Sequence, residues 1–411
     1  MKCIFIKSRR IFCMLAVVGL LLFSGCGVLQ KDKFSDTEDF TMVPAPTATQ
    51  VFKEETPSPT PTLNDAALSP APPPTPTLRE ETPSPAPVYS PDPALQVSTL
   101  DDIQAELYAA IVGLRQPKSM DVSQVNWPDS PEINVKNLYY QIIGQSPELK
   151  YAYELSIETD NGTLNCQISY MPYKTGNFPE GTDAVSVSSL QELIAVAQAN
   201  LGMETVPIRL TDPSFTPDDM SRALQQAGGG YILCALNKDA TAITYSSAMG
   251  MTMDDCLAQL DEANRLANQV ICEVVTDDMT EYQKAEALFS YITEHVKYDQ
   301  RYYSDRQNMP YDAQTATGAL RDHLAICGGY SHAVKLLFEK AGIPCYNVTG
   351  TYFGENHMWN VALLDGKWLW CDATADRGNS LEFGLRHFAL EELDATQYQW
   401  DESLIAPLLE Q

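Results

Sequence analysis

Residues 325–374 read AICGGYSHAVKLLFEKAGIPCYNVTGTYFGENHMWNVALLDGKWLWCDAT. The segment from Cys327 to Ala341 has the period of an amphipathic helix, with Tyr330, Ala333, Val334, Leu337 and Phe338 on one side. Gly342 and then Pro344 stop it. Cys327 therefore stands at the helix start, where unpaired N–H groups and the dipole favour a thiolate. Gly328 and Gly329 beside it leave room for a second backbone or a substrate. A lone cysteine in such a place reads as a small core residue. The segments after it turn the reading towards chemistry.

Asn360–Leu364 and Lys367–Cys371 read as strands, and Asp365-Gly366 between them is a hairpin signal. A two-residue loop pairs Leu364 with Lys367 and, counting outward, Trp359 with Asp372 and His357 with Thr374. His357 and Asp372 are then diagonal neighbours on one face, and a one-residue slip would separate them. The bland alternative is a satisfied core histidine and a strand-end cap. With Cys327, however, the set supplies a nucleophile, a base and a group that orients the base. Trp359, Trp368 and Trp370 share the predicted face, as core or as shelter for an acyl intermediate.

From about 280 to 376 the chain resembles the transglutaminase-like superfamily, which has a papain-like thiol core. The resemblance is carried by the helix with Ala285, Leu288, Tyr291 and Ile292, by Val296-Lys297-Tyr298-Asp299, and by Cys327-Gly328-Gly329-Tyr330. It continues through Ala341-Gly342-Ile343, His357-Met358-Trp359-Asn360, Leu364-Asp365-Gly366-Lys367-Trp368 and Asp372-Ala373-Thr374. Met358 stands where the family usually has alanine, and Ala373 where it often has proline. The resemblance implies an α+β catalytic core with Cys327, His357 and Asp372 as catalytic residues, and Gly328, Gly329 and Trp359 supporting the cleft. It implies cysteine-dependent acyl transfer on protein or peptide amides through a thioester. The oxyanion would be held by the Cys327 N–H and by an upstream side chain, for which Gln314 and Tyr298 are candidates. Hydrolysis is the expected outcome. The alternatives are glutamine–lysine cross-linking and a non-catalytic module that binds wall polymer or protein.

The rest of the chain frames this core. Lys2, Lys7, Arg9 and Arg10 precede an apolar run, Ile11 to Phe23, which reads as a signal peptide over 1–25. Leu22-Phe23-Ser24-Gly25-Cys26 resembles a bacterial lipobox, which makes Cys26 the expected lipidation site and membrane anchor. The alternatives are ordinary secretion or an uncleaved anchor, and either keeps the enzyme outside the cytoplasm. Removing residues 1–25 takes away four basic and no acidic residues, leaving 23 basic against 54 acidic, a balance of −31. That charge argues against a nucleic-acid partner. Residues 26–97 read as a disordered linker, since 15 of the 27 prolines fall within 43–95. Such a stalk could lift the globular part towards a cell wall.

Two α+β units are then expected, an accessory domain over 98–250 and the catalytic domain over 251–411. In the first, helices over 101–114 and 135–143 precede strands 150–158 and 163–171, joined by Asn161-Gly162. Helices opening at Ser189 and Thr216 follow, then strands near 231–236 and 241–247. The second opens with a helix capped by Thr252 and another with a Thr280/Gln283 capping box. The polar loop 299–318 is a candidate cleft wall. Six cysteines besides Cys26 and Cys327 lie after the signal, and suit disulfides or buried thiols alike. Five histidines and no HExxH pattern point to no metal and no cofactor.

Overall fold

The computed structural model describes residues 93–181, 183–248, 250–378 and 384–410. The signal peptide, Cys26 and the linker up to residue 92 lie outside them. Residues 93–411 cluster as one compact unit. Among the described residues no helix is long and apolar enough to cross a membrane.

The N-terminal part holds two four-stranded sheets. The first contains β1 (Leu95–Gln96), β2 (Met120–Asp121), β3 (Ala152–Asp160) and β4 (Thr163–Tyr170) in the order β1-β2-β4-β3, with α1 (Leu100–Val112) and α2 (Pro131–Gln145) against it. Thr99 closes a reciprocal capping box on α1. The β3–β4 hairpin turns at Asn161-Gly162, both with positive φ. A short helix, α3 (Pro172–Thr175), leads to the second sheet. Its strands β5 (Val185–Val187), β6 (Thr205–Leu210), β7 (Ile232–Leu236) and β8 (Ala242–Ser247) run in the order β5-β6-β8-β7. Helices α4 (Leu190–Ala199) and α5 (Pro217–Gln225) accompany them. At α4 the Ser189 side chain caps the helix, but Glu192 reaches back to the Ser188 N–H and hydroxyl instead of the cap's own N–H.

The C-terminal part begins with α6 (Met253–Val274) and α7 (Glu281–His295), each opened by the expected threonine cap. Then come β9 (Lys297–Tyr298), α8 (Arg301–Ser304), α9 (Ala316–Leu320), β10 (Leu324–Ala325) and α10 (Cys327–Lys340). The loop 299–318 is thus mostly short helical turns. A second meander follows: β11 (Cys345–Tyr352), β12 (Glu355–Leu364) and β13 (Lys367–Cys371), edged by β14 (Tyr398–Gln399), with a last short helix α11 (Ala406–Leu409).

This meander is buried on both faces, and alternation along its strands shows how. Cys345, Ala362, Leu364 and Cys371 pack with α6, α7 and α10 in one core. Tyr346, Val348, Trp359 and Val361 join the other core, which is continuous with both N-terminal sheets. Polar contacts fasten the same junction. Gln226 exchanges two hydrogen bonds with the Asn347 backbone, at 2.9 and 3.1 Å. The Tyr231 hydroxyl donates to Asp312 (2.6 Å) and accepts from Thr315 (2.8 Å).

Candidate active site

Two parallel pairings place the start of α10. Leu324 pairs with Lys297 and Ala325 with Tyr298, so β10 delivers Cys327 two residues beyond Tyr298. The Tyr330 hydroxyl, one turn into α10, donates to the Val296 carbonyl and ties the helix to the end of α7. Cys327 is the first residue of α10 and is 3% exposed. Gly328 and Gly329 serve a second backbone: a Cβ on Gly329 would lie 2.6 Å from the Ala313 carbonyl oxygen, and one on Gly328 3.0 Å from that of Gln314. The Ile326 N–H donates to the Ala313 carbonyl as well (2.8 Å). The loop 299–318 is therefore threaded against the Cys327 end of α10.

Both candidate oxyanion donors flank this end. Gln314 packs on Gly328. The Tyr298 hydroxyl is pushed far above the usual phenol range, first by burial and then by the Cys327 charge close by. It is held as a neutral O–H donor, and the Arg377 guanidinium lies 5.2 Å from its ring centre.

His357 and Asp372 meet: Nε2 of the imidazole lies 2.8 Å from Oδ2 of the carboxylate. Both are buried, with side-chain exposures of 8% and 1%. The β12–β13 register matches expectation from Leu364↔Lys367 out to Asn360↔Cys371. It stops there, so the expected ladder pairs Trp359–Asp372 and His357–Thr374 do not form. The chain leaves the strand at Asp372. Its backbone N–H donates to the His387 carbonyl, and its Oδ1 accepts from the Ala375 N–H (3.1 Å) in a tight turn. The turn aims the carboxylate at the imidazole without the last two rungs.

Tyr398, which the sequence reading missed, donates its hydroxyl to the same Oδ2 at 2.8 Å. Burial pushes the Asp372 carboxyl up, but the His357 charge and the bonds from His357, Tyr398 and Ala375 outweigh it and hold the carboxyl below the usual range. Trp359 is 1% exposed, with its ring stacked 5.9 Å from the His357 ring. It forms the floor under the imidazole, and Tyr398 meets it edge-on at 5.4 Å.

A second buried pair adjoins the first. Asp376 accepts from the Arg386 and His387 backbone N–H groups and contacts His387 Nδ1 at 3.0 Å, which raises the His387 pKa. Among the other cysteines, Cys166, Cys234, Cys345 and Cys371 are buried. Burial pushes the thiols of Cys166, Cys234 and Cys371 up to about 12, and that of Cys345 well above the usual range. No disulfide joins the described cysteines. No cluster of three metal-ligating side chains occurs among the described residues.

Comparison with known proteins bears on this same region. Kyphoscoliosis peptidase of Homo sapiens is 27% identical over 164 residues, covering 34% of this chain and 24% of that protein. The Mus musculus protein of the same name is 23% identical over 123 residues, covering 27% and 18%. The chain thus spans a quarter or less of the length of these curated relatives. A solved structure of a TGase aligns with a TM-score of 0.27 and 18% identity, over 54% of this chain and 64% of that one. Residues 268–373 match the model of the transglutaminase-like superfamily, nearly the 280–376 expected from sequence. The segment holding α7, α10 and the β11–β13 meander is therefore a transglutaminase-like domain.

Proposed function

We propose that this domain carries out cysteine-dependent acyl transfer on protein or peptide amides, with Cys327 as nucleophile, His357 as base and Asp372 as the group that orients the base. The observation that carries the reading is the buried His357–Asp372 contact. A depressed carboxylate on Nε2 holds the proton there, which leaves the Nδ1 lone pair as the base. Nδ1 takes the Cys327 proton, giving a thiolate favoured by the N-terminus of α10. The sulfur attacks the amide carbonyl. The oxyanion is met by the Cys327 N–H and by Tyr298 or Gln314. The Nδ1 proton then passes to the leaving amine, and the C–N bond breaks to leave a thioester. Water, deprotonated by Nδ1, attacks the thioester; the acid leaves and the proton returns to sulfur.

We further propose that the chain works outside the cytoplasm, anchored by lipid on Cys26 and extended towards the wall by residues 26–97. The basic residues before the apolar run Ile11 to Phe23, the lipobox-like stretch Leu22 to Cys26 and the proline-rich composition of the linker support this placement.

Full-length chain incubated with casein and a labelled primary amine tests the chemistry. New N-termini, absent in Cys327→Ser and in His357→Ala, are expected. Amine incorporation without new N-termini would replace hydrolysis by cross-linking. Iodoacetamide labelling of Cys327 no faster than that of the buried Cys166 would leave a non-catalytic module. Labelled palmitate incorporation that survives Cys26→Ser would remove Cys26 as the anchoring residue, and no incorporation in the parent would remove the lipid anchor.

A further inference from the structure

Three hairpins in this chain close with two-residue loops of the same backbone form. Asn161-Gly162 has φ of 47° and 80°, Asp365-Gly366 has 49° and 79°, and Phe353-Gly354 has 49° and 82°. The strand pairs around them, Asp160↔Thr163, Leu364↔Lys367 and Tyr352↔Glu355, are equivalent. The first loop position lies in the left-handed region, which asparagine and aspartate tolerate and a bulky side chain resists. Two of the hairpins use the residues the turn favours. The third, β11–β12, holds phenylalanine there.

Phe353 gains nothing by burial that would compensate. It is 68% exposed, the most exposed large apolar side chain among the described residues. Its backbone is not slack either: the Phe353 N–H donates to the Gln397 carbonyl at 2.8 Å, and β14 pairs with β11 up to Tyr352. The ring is therefore presented to solvent on a pinned turn. It lies 4.6 Å, centre to centre, from Tyr352, whose ring is 5.3 Å from that of His357. Strain kept in an exposed aromatic residue two rings from the imidazole marks a residue retained for recognition.

We infer that Phe353 is a substrate-contacting, specificity-determining residue that binds a bulky apolar side chain of a peptide near the bond to be attacked. The assignment rests on His357 being the catalytic base, because only then does the β11–β12 tip border the reacting bond. The Phe353 and Tyr352 rings offer an apolar side chain a surface it can leave water for, and the pinned backbone removes the cost of ordering the tip on binding.

The test is binding, so that it stands apart from turnover. Acetylated alanine hexapeptide amides carrying one phenylalanine at each position in turn are titrated against full-length Cys327→Ser. The best phenylalanine peptide is expected to bind about tenfold tighter than the all-alanine parent, and Phe353→Asn in the same background to cut that preference to about threefold or less. Phe353→Asn is expected to melt no lower than its parent, since asparagine suits the turn. Tyr140→Asn, which removes another exposed aromatic residue on α2, is expected to leave the preference intact. No phenylalanine preference, a preference that survives Phe353→Asn, or a lowered melting temperature would overturn the inference. Turnover and Cys327 alkylation in the Cys327 parent judge the catalytic reading separately. A chain that binds the phenylalanine peptides through Phe353 but shows neither keeps a peptide-binding surface at the tip and loses the substrate assignment along with the chemistry.

Discussion

At the scale of single residues, the site depends on how many donors converge on one carboxylate. Asp372 is buried and still ionised, because His357, the Tyr398 hydroxyl and the Ala375 N–H outweigh its desolvation. Its folded pKa is depressed. It therefore contributes stability that is present above the unfolded value near 3.9 and is lost as pH falls through the folded value. Tyr398→Phe removes one donor and moves the folded value up. A hydrogen bond to a charged group is worth about 1.5–3 kcal/mol, and urea unfolding at pH 7 is expected to show a loss of that size. The acid-unfolding midpoint is expected to move to higher pH. Tyr139→Phe, whose hydroxyl donates to the neutral Ala152 carbonyl, is the control and should leave that midpoint in place. If both variants shift it equally, Tyr398 has no particular hold on the carboxylate. The His357–Asp372 contact is legible in the sequence because the Asp-Gly turn sets their spacing, and the helix start at Cys327 because its period and stop signals do. Tyr398 is not, because it acts from a two-residue strand 26 residues downstream, and nothing local distinguishes it from other tyrosines.

At the scale of elements, legibility follows turn and cap chemistry. The Asn-Gly and Asp-Gly hairpins and the threonine-capped helices α5, α6 and α7 stand where sequence puts them. Strand β11 is absent from the sequence reading, although its whole length, Cys345 to Tyr352, pairs with β12. Its hairpin signal is disguised by phenylalanine at the turn, and its residues face two cores, so no simple alternation stands out. The glycines after Cys327 read as room for a second backbone or a substrate, and the backbone of residues 313–315 takes that room. A methyl group on Gly329 would meet the Ala313 carbonyl and the Ala325 Cβ, neither of which is the free end of a flexible side chain. Gly329→Ala is expected to cost about 1–3 kcal/mol, as overpacking does. Gly144→Ala, on the exposed side of α2 with nothing within 4 Å, is expected to add about 0.5–1 kcal/mol through helix propensity. Denaturant midpoints of the two variants check the pair. Equal shifts would mean that the tight approach at Gly329 carries no weight.

At the scale of the molecule, the decisive feature is the β11–β13 sheet of the transglutaminase-like domain, which has two apolar faces. One face is covered by α6, α7 and α10; the other carries Tyr346, Val348, Trp359 and Val361 into the core shared with the N-terminal sheets. Burying each such side chain is worth about 1.5–3 kcal/mol. Four of them come to about 6–12 kcal/mol, comparable with the whole stability of a typical domain, about 5–15 kcal/mol. A fragment spanning 251–411 would lose the N-terminal residues of that core and keep only its C-terminal members, such as Tyr398 and Trp400 beside Trp359. Calorimetry of the full chain is therefore expected to give a single endotherm, and the 251–411 fragment to show no cooperative transition and no preferential alkylation of Cys327. Two resolved endotherms in the full chain, or a fragment that melts sharply and reacts at the rate of the whole, would show that the N-terminal sheets are dispensable to the site. With one endotherm, the N-terminal sheets and the β11–β13 sheet unfold as one cooperative unit through the core they share.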